Sequence, residues 1–343
     1  MIAARFYEPR VIRIEHVDKP EINKDEILVR NRVALTCGSD LKMYLRGHRL
    51  VTPPLIIGHE FAGTIEEIGE DVQGFQEGMN VVAANSAPCM SCYYCRIGKP
   101  NLCDRLDEVL VGFSFPGAYA EYVRLPARIV RQNVCEIPKG VSFEEAAFLE
   151  PLACVVHGAE LADIKADNLV LIIGAGPIGL LHMQLARAHG AKTVVVTDAS
   201  SERLRRAAEL GADHTADSKD PVGEVRRLSE NRGADVTIEA VGKPETWELA
   251  VQATRKGGTT VLFGGCPAGS TAAIDTGAVH YGELTLKGVF HHTPASVREA
   301  LRLISTRQVK VAPLITQRMR LSEVEEALRL MQNGVAIKVA LTP

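Results

Sequence analysis

The sequence has little of what marks secreted, membrane or nucleic-acid-binding proteins. Aromatic residues make up 5% of its 343 residues, and the sequence has 39 lysines and arginines against 42 aspartates and glutamates. A net charge of −3 gives no basic surface for nucleic acid or anionic lipid. The sequence has no apolar run of transmembrane length and no secretory signal at its start. We therefore expect a cytoplasmic protein that acts on small molecules, without nucleic-acid or membrane partners.

The apolar content is sufficient for two hydrophobic cores, because 46% of a long chain is hydrophobic. The first half contains short strands, such as EILVRNRVAL and EFAGTIEEIG, broken by Gly and Pro, which predicts a β-rich, barrel-like domain. Strands then alternate with helices, which is typical of a doubly wound parallel sheet. We predict a β-rich domain over 1–151 and 292–343 and a nucleotide-binding domain over 152–291. The last segment, VAIKVAL, is predicted to return to the first domain.

Cysteine is scarce except in one segment. Four of the eight cysteines lie in CMSCYYCRIGKPNLC, and they are Cys89, Cys92, Cys95 and Cys103. This spacing favours a tetrahedral zinc site, while an iron–sulfur cluster is an alternative. Disulfides are disfavoured by the close spacing and by a reducing compartment, and a nucleic-acid-binding zinc ribbon would need wider spacing and a basic face. Since four protein ligands leave no position for substrate, this zinc would be structural.

A dinucleotide-binding turn is predicted in the middle of the chain. The buried strand LVLII leads into GAGPIG, and a helical pattern follows. Gly174 would allow the tight turn, Gly176 the approach of pyrophosphate, and Gly179 the packing of helix on strand. Pro177 and Ile178 complete the motif. The helix N-terminus would face the phosphates.

Asp198 ends the next predicted strand, TVVVTD. An acidic side chain here accepts hydrogen bonds from ribose hydroxyls and repels a 2′-phosphate, which predicts NAD as the cofactor. Arg203 would be a phosphate ligand for NADP, yet it lies on a predicted helix where a solvated arginine is common. Further cofactor contacts are predicted where later strands end, although each is also compatible with sheet core: Val241, Leu262, Phe263, Gly264, Val289 and Phe290.

Two short stretches of the β-rich half combine zinc-binding side chains. LTCGSD contains Cys37, and IGHEFAG contains His59 and Glu60. A thiolate, an imidazole and a carboxylate around an open fourth position form the catalytic type of zinc site. From these residues alone, a buried core cysteine and a histidine that bonds to backbone groups are the more common finding.

The segment GHEFAGTIEEIG resembles the zinc signature of medium-chain alcohol dehydrogenases. CGSD, the four-cysteine segment, LEPLACVVHG and GAGPIG occur in that family's order across essentially the whole chain. The polyol and threonine dehydrogenase branch is the most similar. The resemblance implies a GroES-like β-rich catalytic domain plus a Rossmann cofactor domain. It also implies two Zn²⁺ ions per chain, one catalytic and one structural, with NAD, in a dimer or tetramer.

The resemblance assigns roles to the second metal site. It implies that Cys37 and His59 bind catalytic zinc, with Glu60 as the third protein ligand. Glu150 of the LEPL segment would contact the metal directly or through water, and Cys154 is a rival ligand. Zinc at this site would lower the pKa of a substrate hydroxyl, and NAD would accept hydride from the carbinol carbon.

The proton path departs from the family pattern. In the family a hydroxyl two residues after the cysteine, here Ser39, passes the proton to a histidine, and this chain has Lys42 in that place. A lysine relays protons only when its pKa is lowered. An exposed Lys42, or one that meets a cofactor phosphate, is the alternative.

Substrate contacts are predicted at Tyr44 and His48, which follow the catalytic cysteine, and at His291, which follows the last strand of the middle domain. Polar side chains there suit a polyol better than an alkyl alcohol. The sequence thus predicts an NAD-dependent zinc alcohol dehydrogenase for a polyol, sugar alcohol or hydroxy amino acid. An NADP-linked aldehyde or ketone reductase and a non-catalytic nucleotide-binding protein are the alternatives.

Overall fold

The computed structural model describes residues 1–217 and 220–343, which form two compact units. One unit combines Met1–Ala153 with His292–Pro343, and the other is Cys154–His291. The first boundary falls two residues after the one expected from the sequence. Among the described residues, no helix has both the length and the apolar character needed to span a bilayer.

The N-terminal part of the first unit consists mainly of short strands. The strands are β1 (Ile2–Glu8), β2 (Val11–His16), β3 (Ile27–Leu35), β4 (Leu55–Ile56), β5 (Glu60–Ile68), β6 (Asn80–Ala83), β7 (Tyr122–Leu125) and β8 (Val134–Glu136). The helices are α1 (Gly38–Arg46), α2 (Tyr93–Arg96), α3 (Ala127–Asn133), α4 (Phe143–Ala146) and α5 (Leu149–Ala162), which continues into the second unit.

The second unit alternates strands with helices, as the sequence predicts. Its strands are β9 (Leu169–Ile173), β10 (Thr193–Asp198), β11 (His214–Asp217), β12 (Ala234–Glu239), β13 (Thr254–Leu262) and β14 (Thr285–Gly288). Its further helices are α6 (Pro177–Ala188), α7 (Ser201–Glu209), α8 (Pro221–Leu228), α9 (Pro244–Ala253) and α10 (Thr276–Tyr281).

These six strands form one parallel sheet in the order β11-β10-β9-β12-β13-β14. Every residue of β9 is buried, because neighbours cover a central parallel strand on both faces. The strand order reverses between β9 and β12, where the crevice beyond the carboxyl ends binds ligands in such folds. The prediction of a doubly wound sheet is confirmed.

The C-terminal segment returns to the first unit. It contains α11 (Pro294–Ser305), β15 (Ile315–Arg320), α12 (Val324–Gln332) and β16 (Lys338–Thr342). Strand β16 pairs parallel to β15 and antiparallel to β3, with Ala340 opposite Leu35. The main sheet of the unit has the order β15-β16-β3-β5-β6-β8, with β7 also paired to β3, and a separate sheet has the order β2-β1-β4. The predicted return of VAIKVAL is confirmed.

A buried histidine lies in the core of the second unit. His182 on α6 is 1% exposed, and neither ring nitrogen has a hydrogen-bond partner among the described residues. The Phe263 ring contacts it edge to face, with 4.7 Å between centroids. Burial lowers the pKa of His182 to about 3, because charge is unfavourable in an apolar surrounding.

We expect His182 to make this unit acid-sensitive. An unfolded histidine takes up a proton below its ordinary pKa of about 6.5, whereas folded His182 stays neutral down to about 3, so stability falls as pH falls through that window. His182→Leu should reduce the loss of unfolding free energy between about pH 7.5 and pH 5 by about 2 kcal/mol. Urea titrations followed by fluorescence of Trp247, the one tryptophan, report on this unit. His189→Asn, which replaces an exposed histidine, is the control. An unchanged pH dependence of stability in His182→Leu would contradict the role given to His182.

Candidate active site

The pairing of β3 with β5 brings three predicted metal ligands together. Leu35 at the end of β3 lies opposite Glu60 at the start of β5. Cys37 follows two residues later at the N-terminus of α1, and His59 immediately precedes Glu60. The thiol sulfur, an imidazole nitrogen and a carboxylate oxygen all lie within 4.8 Å of one another. The antiparallel register therefore assembles the three side chains from two distant segments.

A buried carboxylate orients the imidazole. His59 Nδ1 donates to Asp40 Oδ1 at 3.0 Å, which leaves Nε2 to face Ser39 Oγ at 3.3 Å. A carboxylate on Nδ1 fixes the tautomer in which Nε2 offers its lone pair to a metal. Burial lowers the pKa of His59, but Asp40 and then Cys37 outweigh it and hold that pKa well above its ordinary value. A metal at Nε2 must therefore displace a proton.

The two carboxylate oxygens of Glu60 differ in their partners. Its Oε2 forms an ion pair with Lys338 Nζ on β16, and both side chains are buried. Beyond this ion pair, neither Oε1 nor Oε2 of Glu60 has a hydrogen-bond partner among the described residues. An unsatisfied oxygen in the interior is unfavourable unless a ligand or cation meets it. This open oxygen, with Cys37 Sγ and His59 Nε2, is a donor set that fits zinc.

Lys338 provides a positive charge beside this donor set. Its ammonium lies 5.5 Å from the centre of the Phe148 ring. Burial lowers the pKa of Lys338, and electrostatic interactions with Glu60, Cys37 and Glu150 more than reverse this, so the lysine stays protonated. Glu150, in the first turn of α5, is buried and close enough to contribute to that field. Whether it contacts a metal stays a prediction.

The four-cysteine segment forms a second, separate cluster. The sulfurs of Cys89, Cys92, Cys95 and Cys103 lie within 4.8 Å of one another. Hydrogen bonds from Ser91, first from its hydroxyl, lower the pKa of Cys89 to about 5. Burial, followed by the neighbouring thiols, raises the pKa of Cys95 to about 12. Thiols this close cannot all ionise without a cation, so the segment fits a tetrahedral zinc with four protein ligands.

The glycine-rich turn has the shape that a dinucleotide requires. Gly174 has φ of +102°, and a Cβ there would lie 2.7 Å from Val241 Cγ2. A Cβ on Gly179 would lie 1.7 Å from the Gly174 carbonyl oxygen, so α6 packs tightly on the turn. Among the described residues, chain neighbours aside, no atom lies within 4 Å of a Cβ placed on Gly176, which leaves room for a phosphate. Pro177 begins α6, directly after the turn.

Asp198 lies beside this turn at the end of β10. Its Oδ2 accepts from the backbone N–H of Ala175 at 2.8 Å, and its Oδ1 accepts from that of Ser200 at 2.9 Å. Arg203 Nη1 lies 3.8 Å from Oδ2. The carboxylate is thus held rigidly next to the phosphate-binding turn, and Arg203 is directed at this carboxylate.

The other predicted cofactor residues differ in exposure. Val241 is 38% exposed after β12, and Phe290 is 59% exposed after β14. Leu262 is buried, and Phe263 packs against His182. Their contacts with a cofactor stay predictions, as do those of Ile178, Gly264 and Val289.

The predicted substrate residues have unlike surroundings. Tyr44 is buried, and burial, followed by the charge of Glu325, raises the pKa of its phenol. The exposed His48 ring lies 5.1 Å from that of Phe113, which in turn lies 5.3 Å from that of His59. Phe113 therefore connects His48 to the metal ligands. The roles of Tyr44 and His48 stay predictions.

Two further predicted residues are His291 and Lys42. His291 has φ of +62° and stacks on Phe290. Lys42 is exposed on α1. No contact of either with substrate or with a transferred proton is established, so both stay predictions.

Sequence reasoning missed two charged residues of the metal site. Asp40 lies within the CGSD motif, three residues after Cys37, where an acidic side chain near a helix start passes as an ordinary cap. Lys338 is the charged residue inside the apolar strand VAIKVAL. A lysine in an otherwise buried strand signals a buried partner, and this signal would have pointed to a carboxylate.

Two family models match most of the chain. The alcohol dehydrogenase GroES-like domain matches residues 23–139, and the zinc-binding dehydrogenase domain matches residues 177–306. Sorbitol dehydrogenase of Bacillus subtilis is 30% identical over 100% of this chain and 97% of its own. L-threonine 3-dehydrogenase of Xanthomonas campestris is 32% identical over 96% of each chain.

Solved structures agree in fold over the full length. A zinc-binding dehydrogenase from Sinorhizobium meliloti bound to NADP has a TM-score of 0.91 at 32% identity, covering 100% of this chain and 99% of that one. Galactitol-1-phosphate dehydrogenase of Escherichia coli has a TM-score of 0.90 at 30% identity, covering 100% of both chains. This chain belongs to the zinc-binding medium-chain alcohol dehydrogenase family. The predicted family, its sorbitol and threonine dehydrogenase branch, and the GroES-like and Rossmann fold class are confirmed.

The buried pair of Glu60 and Lys338 predicts a specific pattern of stability. Lys338→Met removes the ammonium that pairs with the buried Glu60 carboxylate, and removing one partner of such a pair costs about 3 kcal/mol or more of unfolding free energy. The double variant Glu60→Gln/Lys338→Met should recover most of that loss, because the carboxylate that lost its partner is then also removed. Urea unfolding of chelator-treated protein by circular dichroism measures both. Equal stability of the single and double variants would show that the two side chains are not coupled.

Proposed function

We propose that the protein is an NAD-dependent zinc alcohol dehydrogenase that oxidises a secondary hydroxyl of a polyol, sugar alcohol or hydroxy amino acid. The observation that carries the proposal is the clustering of the Cys37 thiol, an imidazole nitrogen of His59 and a carboxylate oxygen of Glu60 within 4.8 Å of one another. Three protein donors leave one position for substrate, in contrast to the four-cysteine segment. We propose two zinc ions per chain, one at each cluster.

When bound, zinc would polarise the substrate hydroxyl, and NAD would accept hydride from the carbinol carbon. The residues of the chain hold these groups and the substrate in position. Asp40 keeps His59 in the tautomer that binds through Nε2. Ser39 Oγ, 3.3 Å from that nitrogen, is placed to relay a proton, because it can accept the proton of a substrate hydroxyl while it passes its own proton on. Oxidation releases one proton for each hydride transferred, and Lys42 in its neutral form is the proposed next acceptor before that proton reaches solvent.

The proposed preference for NAD rests on Asp198. Its carboxylate is fixed beside the glycine turn by two backbone N–H groups, and a 2′-phosphate there would meet a like charge. Arg203 is directed at Asp198 and is therefore a weaker candidate for binding a phosphate. The NADP-bound relative supports the second candidate, an NADP-linked aldehyde or ketone reductase.

The substrate class is proposed from relatives and from side chains. The two similar enzymes act on sorbitol and L-threonine, as their names say, and both compounds carry a secondary hydroxyl next to further polar groups. His48 is connected to His59 through Phe113 and would recognise such a neighbouring group. A site built for hydrogen bonding discriminates against substrates that lack the partner group.

A panel of alcohols tests the reaction class. Purified protein with zinc should reduce NAD with sorbitol, xylitol, galactitol, L-threonine or a vicinal diol, followed by absorbance of the reduced nicotinamide. At least one of these should exceed ethanol by on the order of 100-fold in kcat/KM, because ethanol leaves the polar contacts unmade. Cys37→Ser is the control for background reduction. Tight dinucleotide binding with no turnover of any alcohol, ketone or aldehyde would favour the non-catalytic alternative.

Replacement of Asp198 tests the cofactor. The unchanged protein should prefer NAD over NADP by on the order of 100-fold in kcat/KM, since like charges in close contact cost several kcal/mol. Asp198→Ala should reduce this preference at least tenfold. Asp167→Ala removes an exposed carboxylate before β9, at the opposite end of the sheet, and should leave the preference unchanged. A preference for NADP in the unchanged protein would overturn the NAD assignment and support the reductase.

A further inference from the structure

One carboxylate holds two of the candidate metal ligands. Asp40 Oδ1 accepts from the His59 ring at 3.0 Å, and Asp40 Oδ2 accepts from the backbone N–H of Cys37 at 2.9 Å. Asp40 is fully buried. Its orientation therefore sets where both the imidazole and the thiol-bearing residue lie.

A third donor completes the surroundings of this carboxylate. The Tyr119 hydroxyl donates to Asp40 Oδ2 at 2.7 Å, in a bond that is buried and joins residues 79 positions apart. Tyr119 is 0% exposed, so no water competes for the hydroxyl. Burial, and next the charge of Asp40, raise the pKa of Tyr119 well above its ordinary value. The phenol consequently keeps its proton and remains a donor.

The backbone fixes the position of the Tyr119 ring. The Tyr119 N–H donates to the Ile57 carbonyl at 2.9 Å, and its own carbonyl accepts from the Ala4 N–H at 2.8 Å. The ring lies against Gly58, where a Cβ would come 2.4 Å from Tyr119 Cδ1. Gly58 also has φ of +88°, which favours glycine. The residue just before His59 thus leaves space for the ring that reaches Asp40.

We propose that Tyr119 is a positioning residue for the candidate catalytic metal, because its hydroxyl fixes the Asp40 carboxylate that in turn orients His59 and Cys37. The inference rests on the proposed function, since it assumes a metal at Cys37, His59 and Glu60. Phenylalanine would fill the same space against Gly58. Without the hydroxyl, however, Asp40 Oδ2 retains the Cys37 N–H as its remaining donor, and the carboxylate can rotate away from His59. Loss of a partner behind a metal ligand weakens metal binding about 10-fold to 100-fold.

The test is the metal affinity of Tyr119→Phe. We expect zinc affinity at the Cys37 site to fall about tenfold in competition with a chelator, while the four-cysteine segment keeps its metal. Cobalt substitution separates the two sites, because one thiolate and four thiolates give different charge-transfer bands. The bands of the Cys37 site should shift in Tyr119→Phe. Tyr122→Phe, which removes a partly exposed phenol on β7, is the matched control and should change neither measurement.

Each outcome has a defined meaning. Unchanged affinity and an unchanged cobalt spectrum in Tyr119→Phe overturn this inference alone and leave the proposed function intact. Loss of metal from the four-cysteine segment as well shows a general structural role and also overturns it. If the protein without any substitution holds metal only at the four cysteines, both the inference and the proposed function are overturned. A selective loss at the Cys37 site, with circular dichroism unaltered, supports the inference.

Discussion

The antiparallel pairing of β3 with β5 is the interaction on which the candidate site depends. Leu35 opposite Glu60 is the last pair of that ladder, and the ligands follow directly from it. A shift of one residue would turn Glu60 to the other face of the sheet. Strand β16 pairs with the same end of β3, so a third segment delivers Lys338 to the carboxylate. Backbone register thus positions both the ligands and their counter-charge.

The site concentrates buried charge, which a protein interior tolerates only when each group is compensated. Asp40 receives three donors, and the ammonium of Lys338 faces Glu60. The remaining imbalance lies at Cys37, His59 and the open oxygen of Glu60. A divalent cation would bring these groups into balance, because it replaces the proton on the imidazole and satisfies the oxygen. The uncompensated part of the site is therefore the part assigned to metal.

The sequence predicted those features whose determinants lie close together in the chain. The strands LVLII and TVVVTD have the bounds of β9 and β10. A buried strand that ends at or just before a glycine or aspartate can be recognised from the local sequence. The four cysteines come together within one short segment. Lys338 and Tyr119 were not predicted, because each reaches the site through strand pairing or loop packing far along the chain. Residue type alone does not show which distant carboxylate a buried lysine or phenol will meet.

The two candidate metal sites differ in how they depend on the fold. The four cysteines lie within one short segment, where backbone N–H groups of Cys89 and Cys92 already bond to cysteine sulfurs. Such a site forms by closing a short loop, which carries a small entropic cost. Cys37, His59 and Glu60 come together only after β3 and β5 have paired, and Asp40 is locked only when Tyr119 packs on Gly58. Substitutions distant from the Cys37 site therefore alter its metal affinity without changing any ligand. The metal affinity of the four-cysteine segment responds mainly to changes within that segment.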